Sequence, residues 1–199
     1  MKYHREEELK NRLNNFFITQ FELPDCDYYS RLDSEKIISL KMALSDINNL
    51  LTMKISFAFI KWVTNNFKLS QELESKMIDE ILSTKPSTNG FDIISNESLK
   101  FIAEVKCNIP INAGTRYGSA QRNGITKDFH NLLNGKPKSK LNTTNHLKFM
   151  VFMENNAIRS ANLHYISLSK EFSEKIIIVD KETIFDKTDC IYLVHVNFI

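Results

Sequence analysis

The spacing of apolar residues predicts helices through the first part of the chain. Residues 4–21 have the period of one helix, and a longer helix is expected to begin at Asp33 or Ser34. The longer helix has an apolar stripe at Ile37, Leu40, Leu44, Ile47 and Leu51. Such a stripe more often packs within its own chain than in a dimer. The apolar stretch 55–67 predicts a buried helix, and another helix should follow from about Ser70.

After Gly90 the period changes to the alternation that is typical of β-strands. The segments GFDII and LKFIAEVKCNI, joined by the turn SNES, predict a β-hairpin. In its second strand one face should carry Phe101, Ala103, Val105 and Cys107, and the other Ile102, Glu104, Lys106 and Asn108. The remaining predicted elements are a helix near 119–133, a strand at 146–154, a short helix at 160–172, and the strands KIIIVD and CIYLVHVNFI.

This order of elements predicts an α/β (α+β) fold with a central mixed sheet flanked by helices. Residues 1–69 are expected to form a helical N-terminal subdomain that packs on a core domain of residues 70–199. The pattern contains no internal repeat.

The composition of the 199 residues agrees with a globular protein. Apolar residues make up 42% and charged residues 25%, which excludes a disordered or collagen-like chain. The start, MKYHREEELKNRL, is too charged for a secretory signal, and the longest apolar run is too short to cross a bilayer. The three cysteines form no CxxC pair. We therefore expect a reduced, cytoplasmic protein without a membrane contact.

The charge is distributed unevenly along the chain. The net charge is only +2, yet residues 105–148 carry eight Lys and Arg residues against one acid, Asp128. We call this segment, residues 105–148, the basic block. A concentration of positive charge predicts a phosphate-bearing partner, whereas the alternative is a mobile, solvated loop.

Candidate chemistry lies in the predicted hairpin. Asp92 belongs to the first strand, and Glu104 and Lys106 share one face of the second. Adjacent strands can bring the two carboxylates close enough to hold one hard cation such as Mg²⁺, which prefers oxygen ligands. An ammonium group beside them can hold a phosphate oxygen and assist an attacking water. The alternative is a hairpin whose charged residues simply face solvent.

The segments GFDII and FIAEVK resemble the PD-(D/E)xK superfamily, the restriction-endonuclease-like nucleases. The resemblance implies that Asp92, Glu104 and the backbone carbonyl of Val105 bind Mg²⁺, with Mn²⁺ as a substitute, and that Lys106 assists the nucleophilic water. The family's proline before the aspartate is absent, since Gly90 and Phe91 stand there. Some members add an acid from the preceding helix, and here both Glu74 and Glu80 are candidates.

The resemblance also implies that the segment after the second strand faces the nucleic acid. We expect DNA contacts from Arg116, Tyr117, Gln121, Arg122, Lys127, Lys136, Lys138 and Lys140. Gln121 also resembles a polar residue that many members place near the site.

The sequence thus predicts a Mg²⁺-dependent endonuclease of restriction-endonuclease-like fold that cleaves DNA, duplex rather than single-stranded. A type II restriction role and a repair or recombination role are both open. A homodimer would place two symmetric sites on the two strands of a duplex. The alternative function is a non-catalytic module of the same fold that binds nucleic acid or protein.

Overall fold

The computed structural model describes residues 3–85, 90–110 and 114–198. They form two compact units, Met1–Ile47 and Asn48–Ile199. The division falls inside the long helix α2, Ser34–Phe67, rather than at the expected boundary between residues 69 and 70. The physical reason is that the apolar second half of α2 belongs to the core of the sheet.

The first unit contains helix α1, Arg5–Phe21, a 3-10 turn at Tyr29–Arg31, and the beginning of α2. The side chain of His4 caps α1, and that of Asp33 accepts a hydrogen bond from the backbone of Lys36 at the start of α2. The predicted stripe of α2 is largely exposed, with Leu44 at 59%. The expected packing of this stripe within the chain is therefore not found among the described residues.

The second unit contains the sheet. After α2 come α3 (Gln71–Ser83), β1 (Ile93–Asn96), β2 (Lys100–Lys106), α4 (Ser119–Asn134), β3 (Leu147–Met153), α5 (Asn156–Leu168), β4 (Ile176–Ile178) and β5 (Ile191–Val196). The strand order is β1-β2-β3-β5-β4, with β1 antiparallel to β2 and the other neighbours parallel. A mixed sheet flanked by helices is therefore confirmed.

Two apolar clusters cover the two faces of the sheet. Residues of α2 and α3, such as Phe59 and Met77, pack on one face with Phe101 and Phe149. Residues of α4 and α5 pack on the other face with Ile102, Met150 and Leu193. The result is a three-layer arrangement of helices, sheet and helices.

The alternation predicted for β2 is confirmed. Phe101, Ala103 and Val105 lie in the cluster on the α2 and α3 side, and Ile102 lies in the cluster on the α4 and α5 side. Because successive side chains of a strand point to opposite faces, Glu104 and Lys106 also lie on the α4 side. The crossover that joins two parallel strands thus covers the candidate site.

Among the described residues, no helix combines the length and the apolar character that a bilayer crossing requires.

Candidate active site

Asp92 lies directly before β1, not within the strand as expected, and it faces β2. The register pairs Ile93 with Ala103, so Asp92 falls opposite Glu104. The backbone N–H of Val105 donates a hydrogen bond of 2.7 Å to Asp92 Oδ2. The Asp92 carboxylate therefore accepts the hydrogen bond that a backbone carbonyl would accept if the β1–β2 pairing continued. This bond fixes the position of the carboxylate at the end of the hairpin.

The backbone of Val105 is oriented toward the same place. The N–H and C=O groups of a strand residue point toward the same neighbouring strand. Since the N–H of Val105 meets Asp92, we expect its carbonyl oxygen to point to the Asp92 side of β2 as well. The side chain of Val105, by contrast, is buried on the opposite face of the sheet.

Glu104 is only 4% exposed and forms an ion pair with Lys136. The Lys136 ammonium also donates a hydrogen bond to the backbone carbonyl of Gly90, and it lies 5.0 Å from the centre of the Phe91 ring. Glu104 Oε1 has no hydrogen-bond partner beyond this ion pair among the described residues. A protein cation thus occupies the position next to the buried carboxylate.

The pKa of Glu104 is raised to about 8, and burial is the largest cause. The nearby carboxylate of Asp92 contributes to this increase, and Asp128 adds a smaller contribution of the same sign. Lys136 opposes the increase through its ion pair. A second cation placed between Asp92 and Glu104 would lower the pKa of Glu104, because it would favour the ionised form.

Lys106 points toward α4 and forms an ion pair with Asp128. Burial lowers the pKa of Lys106, but the attraction of Asp128, followed by Glu104 and Asp92, outweighs burial and raises the pKa overall. Lys106 is therefore a cation at neutral pH.

The sequence prediction did not include Asp128 in the site. Its neighbours on α4, Ile125, Phe129 and Leu132, are all buried, and Asp128 lies on the same helix face with 9% exposure. A lone acid within a buried helical stripe is the sequence signal that could have identified it, since a buried carboxylate requires a partner.

Lys136 was expected to bind DNA, but the structure pairs it with Glu104. Gly135 ends α4 with φ of +83°, a conformation that residues other than glycine rarely adopt. The turn at Gly135 directs the chain back toward the hairpin. No local pattern in the sequence indicates which carboxylate Lys136 reaches, because Glu104 lies 32 positions earlier.

Of the two acids proposed on the preceding helix, Glu80 is the one that lines a cavity together with Asp92. This cavity, with a volume of about 340 Å³, lies between the end of α3 and the segment before β1. Glu74 does not line that cavity. Glu80 is exposed and remains available to a ligand.

Several residues of the predicted DNA contact lie on the surface. These are Arg116, Arg122, Lys127, Lys138 and Lys140. Tyr117 is different, because it is only 6% exposed and its hydroxyl donates a 2.9 Å hydrogen bond to Asn162 Oδ1. Base stacking by Tyr117 is therefore incompatible with its burial.

Gln121 stabilises the start of α4 rather than facing the carboxylates. Its Oε1 accepts a 3.1 Å hydrogen bond from the N–H of Gly118, and its Nε2 donates to the carbonyl of Ile109 at 2.8 Å. Both polar ends of the side chain are thus used within the protein.

The donor atoms at this site fit a hard cation. Asp92 and Glu104 lie opposite each other, and the Val105 carbonyl is expected to add a third oxygen on the same side. No group of three or more His, Cys, Asp or Glu side chains that could hold a metal occurs within residues 3–85, 90–110 and 114–198. Water and substrate oxygens would complete such a coordination shell, as is usual for Mg²⁺.

Comparison with known proteins gives no relative: no family model, no curated protein and no solved structure matches this chain.

Proposed function

We propose that this protein is a Mg²⁺-dependent endonuclease that cleaves DNA. The observation that carries the proposal is the position of Asp92 opposite Glu104, with the Val105 N–H bound to Asp92 and Lys106 on the face of Glu104. This is the set of residues on which the resemblance to PD-(D/E)xK nucleases rests. A restriction-endonuclease-like core is part of the same proposal.

Each residue would have a separate role. Asp92, Glu104 and the carbonyl of Val105 would hold the cation, which when bound supplies Lewis-acid chemistry at a phosphate oxygen. Lys106 would remain protonated, because the neighbouring carboxylates raise its pKa. It would thus act as a fixed positive charge that holds a phosphate oxygen or orients the attacking water, and not as a general base.

Lys136 would have to leave Glu104 when the cation binds. Its ammonium occupies the space beside the carboxylate, and two cations on one buried oxygen would repel each other. The lysine would then be free to reach a DNA phosphate, which was its expected role. In this proposal Lys136 holds the site together in the absence of metal and changes its partner in the complex.

The second candidate is a binding module without catalysis. The observation that favours it is that Glu104 and Lys106 each already have a protein partner, Lys136 and Asp128. Such a site would be complete without a metal. This candidate predicts DNA binding that weakens with salt but does not depend on Mg²⁺.

Cleavage of plasmid and oligonucleotide DNA separates the two candidates. The wild-type protein is incubated with Mg²⁺, with Mn²⁺ and with EDTA, beside Asp92→Asn. We expect nicking or linearisation with either metal, and none with EDTA or with the variant. Salt-sensitive binding without any cleavage would support the binding module, and equal cleavage by Asp92→Asn would refute the assigned site.

A further inference from the structure

A cleft separate from the carboxylate site lies between α4, α5 and the loop before α4. It has a volume of about 730 Å³. The side chains that carry its chemistry are Arg116, Arg122, His164, Tyr117, Tyr165 and Leu168. The cleft is not lined by Asp92, Glu104 or Lys106.

The rim of the cleft is cationic. Arg116 precedes α4, Arg122 lies in its first turns, and both side chains are exposed. Neither guanidinium forms a hydrogen bond or an ion pair with the part of the chain that the structure describes. The lining contains no acid that would compete with a ligand for the two positive charges inside the cleft. Arginine with free donors is suited to phosphate, which its planar fork can bind through two hydrogen bonds.

Tyr117 and Tyr165 form a fixed floor beneath the cleft, and because they are only 6% and 8% exposed they support its shape rather than offer a stacking face. The hydroxyl of Tyr117 is bound to Asn162, and that of Tyr165 forms a hydrogen bond with Thr126. Both hydroxyls are therefore satisfied within the protein. The side chain of Leu168, which is 60% exposed, supplies apolar surface at the wall of the cleft.

A ligand for this cleft should combine a phosphate with an apolar, flat part. The volume lies within the usual range of small-ligand sites, about 300–1,000 Å³. A nucleotide of an unpaired strand meets these requirements, because its base is free to lie against apolar side chains while its phosphate meets the arginines. A base within a duplex is stacked and paired, so it cannot enter such a cleft without being extruded.

We propose that this cleft binds a nucleotide unit of an unpaired DNA strand, with its phosphate on Arg116 and Arg122. The inference rests on the proposed nuclease function and names the form of its substrate. The protein would bind a duplex that carries an unpaired end more tightly than a blunt duplex of the same length.

Fluorescence anisotropy in EDTA tests the cleft without cleavage. Two fluorescent duplexes of equal length are compared, one blunt and one with a short single-stranded overhang, using the wild-type protein and Arg116→Gln/Arg122→Gln. The control is Lys181→Gln/Lys187→Gln, which removes the same charge from exposed positions outside the cleft.

We expect the wild-type protein and the control to bind the overhang about tenfold more tightly than the blunt duplex, and the arginine variant to lose this preference. Equal affinity of the wild-type protein for the two duplexes, or an unchanged preference in the arginine variant, would overturn the proposal. Metal-dependent cleavage of the same duplexes, measured in parallel, reports on the nuclease assignment independently. Cleavage without an overhang preference refutes the cleft alone, and a preference without cleavage refutes the nuclease alone.

Discussion

The carboxylate site and the arginine cleft use the same basic block in opposite ways. In the carboxylate site, Lys106 and Lys136 are largely buried and each is paired with an acid. At the cleft, Arg116 and Arg122 are exposed and have no ion pair within the described residues. Charge in the sequence therefore does not by itself identify a binding surface.

The difference follows from the cost of burying a charge. A buried carboxylate requires a nearby cation, so the lysines closest to Glu104 and Asp128 pair with them in the absence of any ligand. Exposed arginines are solvated and can remain unpaired until a phosphate arrives. We expect changes at the carboxylate site to affect chemistry and stability, and changes at the cleft to affect binding alone.

The largest effect should come from Lys106→Gln. Removing the positive charge from the face of Glu104 should lower the rate of DNA cleavage by about 100-fold or more, as loss of a preorganised charge does in other sites. The rate is measured on a supercoiled plasmid with Mg²⁺. Lys100→Gln is the matched control, because Lys100 begins the same strand and is exposed. Equal rates in both variants would remove Lys106 from the proposed mechanism.

A stability measurement separates the buried from the exposed cations. Lys136→Met leaves the buried carboxyl of Glu104 without its partner, and because a pKa of about 8 lets this carboxyl take up a proton, we expect the free energy of unfolding to fall by about 1–3 kcal/mol, the cost of one unsatisfied buried polar group. Lys138→Met, two positions later and exposed, should change it by less than about 0.5 kcal/mol. Urea denaturation monitored by circular dichroism gives both values. Similar losses in the two variants would show that the Lys136–Glu104 pair does not stabilise the fold.

The sequence predicted the hairpin well because alternation in a strand is a local property. The assignment of Glu104 and Lys106 to one face of β2 needed only the spacing of their apolar neighbours. The predicted turn SNES did not give the register, because Ser95 and Asn96 belong to β1 and the chain turns at residues 97–99, which sets Asp92 opposite Glu104.

The partners of these residues could not be predicted in the same way. Lys136 reaches Glu104 through the tertiary path of α4 and the turn at Gly135, which no local pattern reports. Tyr117 looked like a contact residue because basic residues surround it, but packing beneath α5 buries it. Local spacing thus predicts which face of a strand a residue occupies, whereas contacts between distant residues determine which charged side chains remain unpaired.

The smallest expected effect concerns His195. This residue contacts Asn162, which accepts the hydrogen bond from the Tyr117 hydroxyl under the cleft. Its ring Nε2 lies 3.0 Å from Asn162 Nδ2, and burial, followed by the charge of Arg159, lowers the pKa of His195 to about 4. The folded pKa is below the ordinary 6.5, so the stabilising effect is complete above pH 6.5 and is lost as the pH falls toward 4. The urea midpoint of the wild-type protein should decrease across this range.

The urea midpoint of His195→Gln should decrease less over the same pH interval, because glutamine does not take up a proton there. Identical pH dependence in the two proteins would assign the acid sensitivity to other groups.

The proposed function requires Asp92 and Glu104 to hold a divalent cation, and Mn²⁺ binding measures this directly. Electron paramagnetic resonance gives the affinity of the wild-type protein and of Glu104→Gln between pH 6 and 8. Because the pKa of Glu104 is raised to about 8, the wild-type affinity should increase by about tenfold from pH 6 to pH 7 and less steeply toward pH 8. The variant should bind weakly at every pH. Equal binding by the variant and the wild-type protein would contradict the assignment of the metal site.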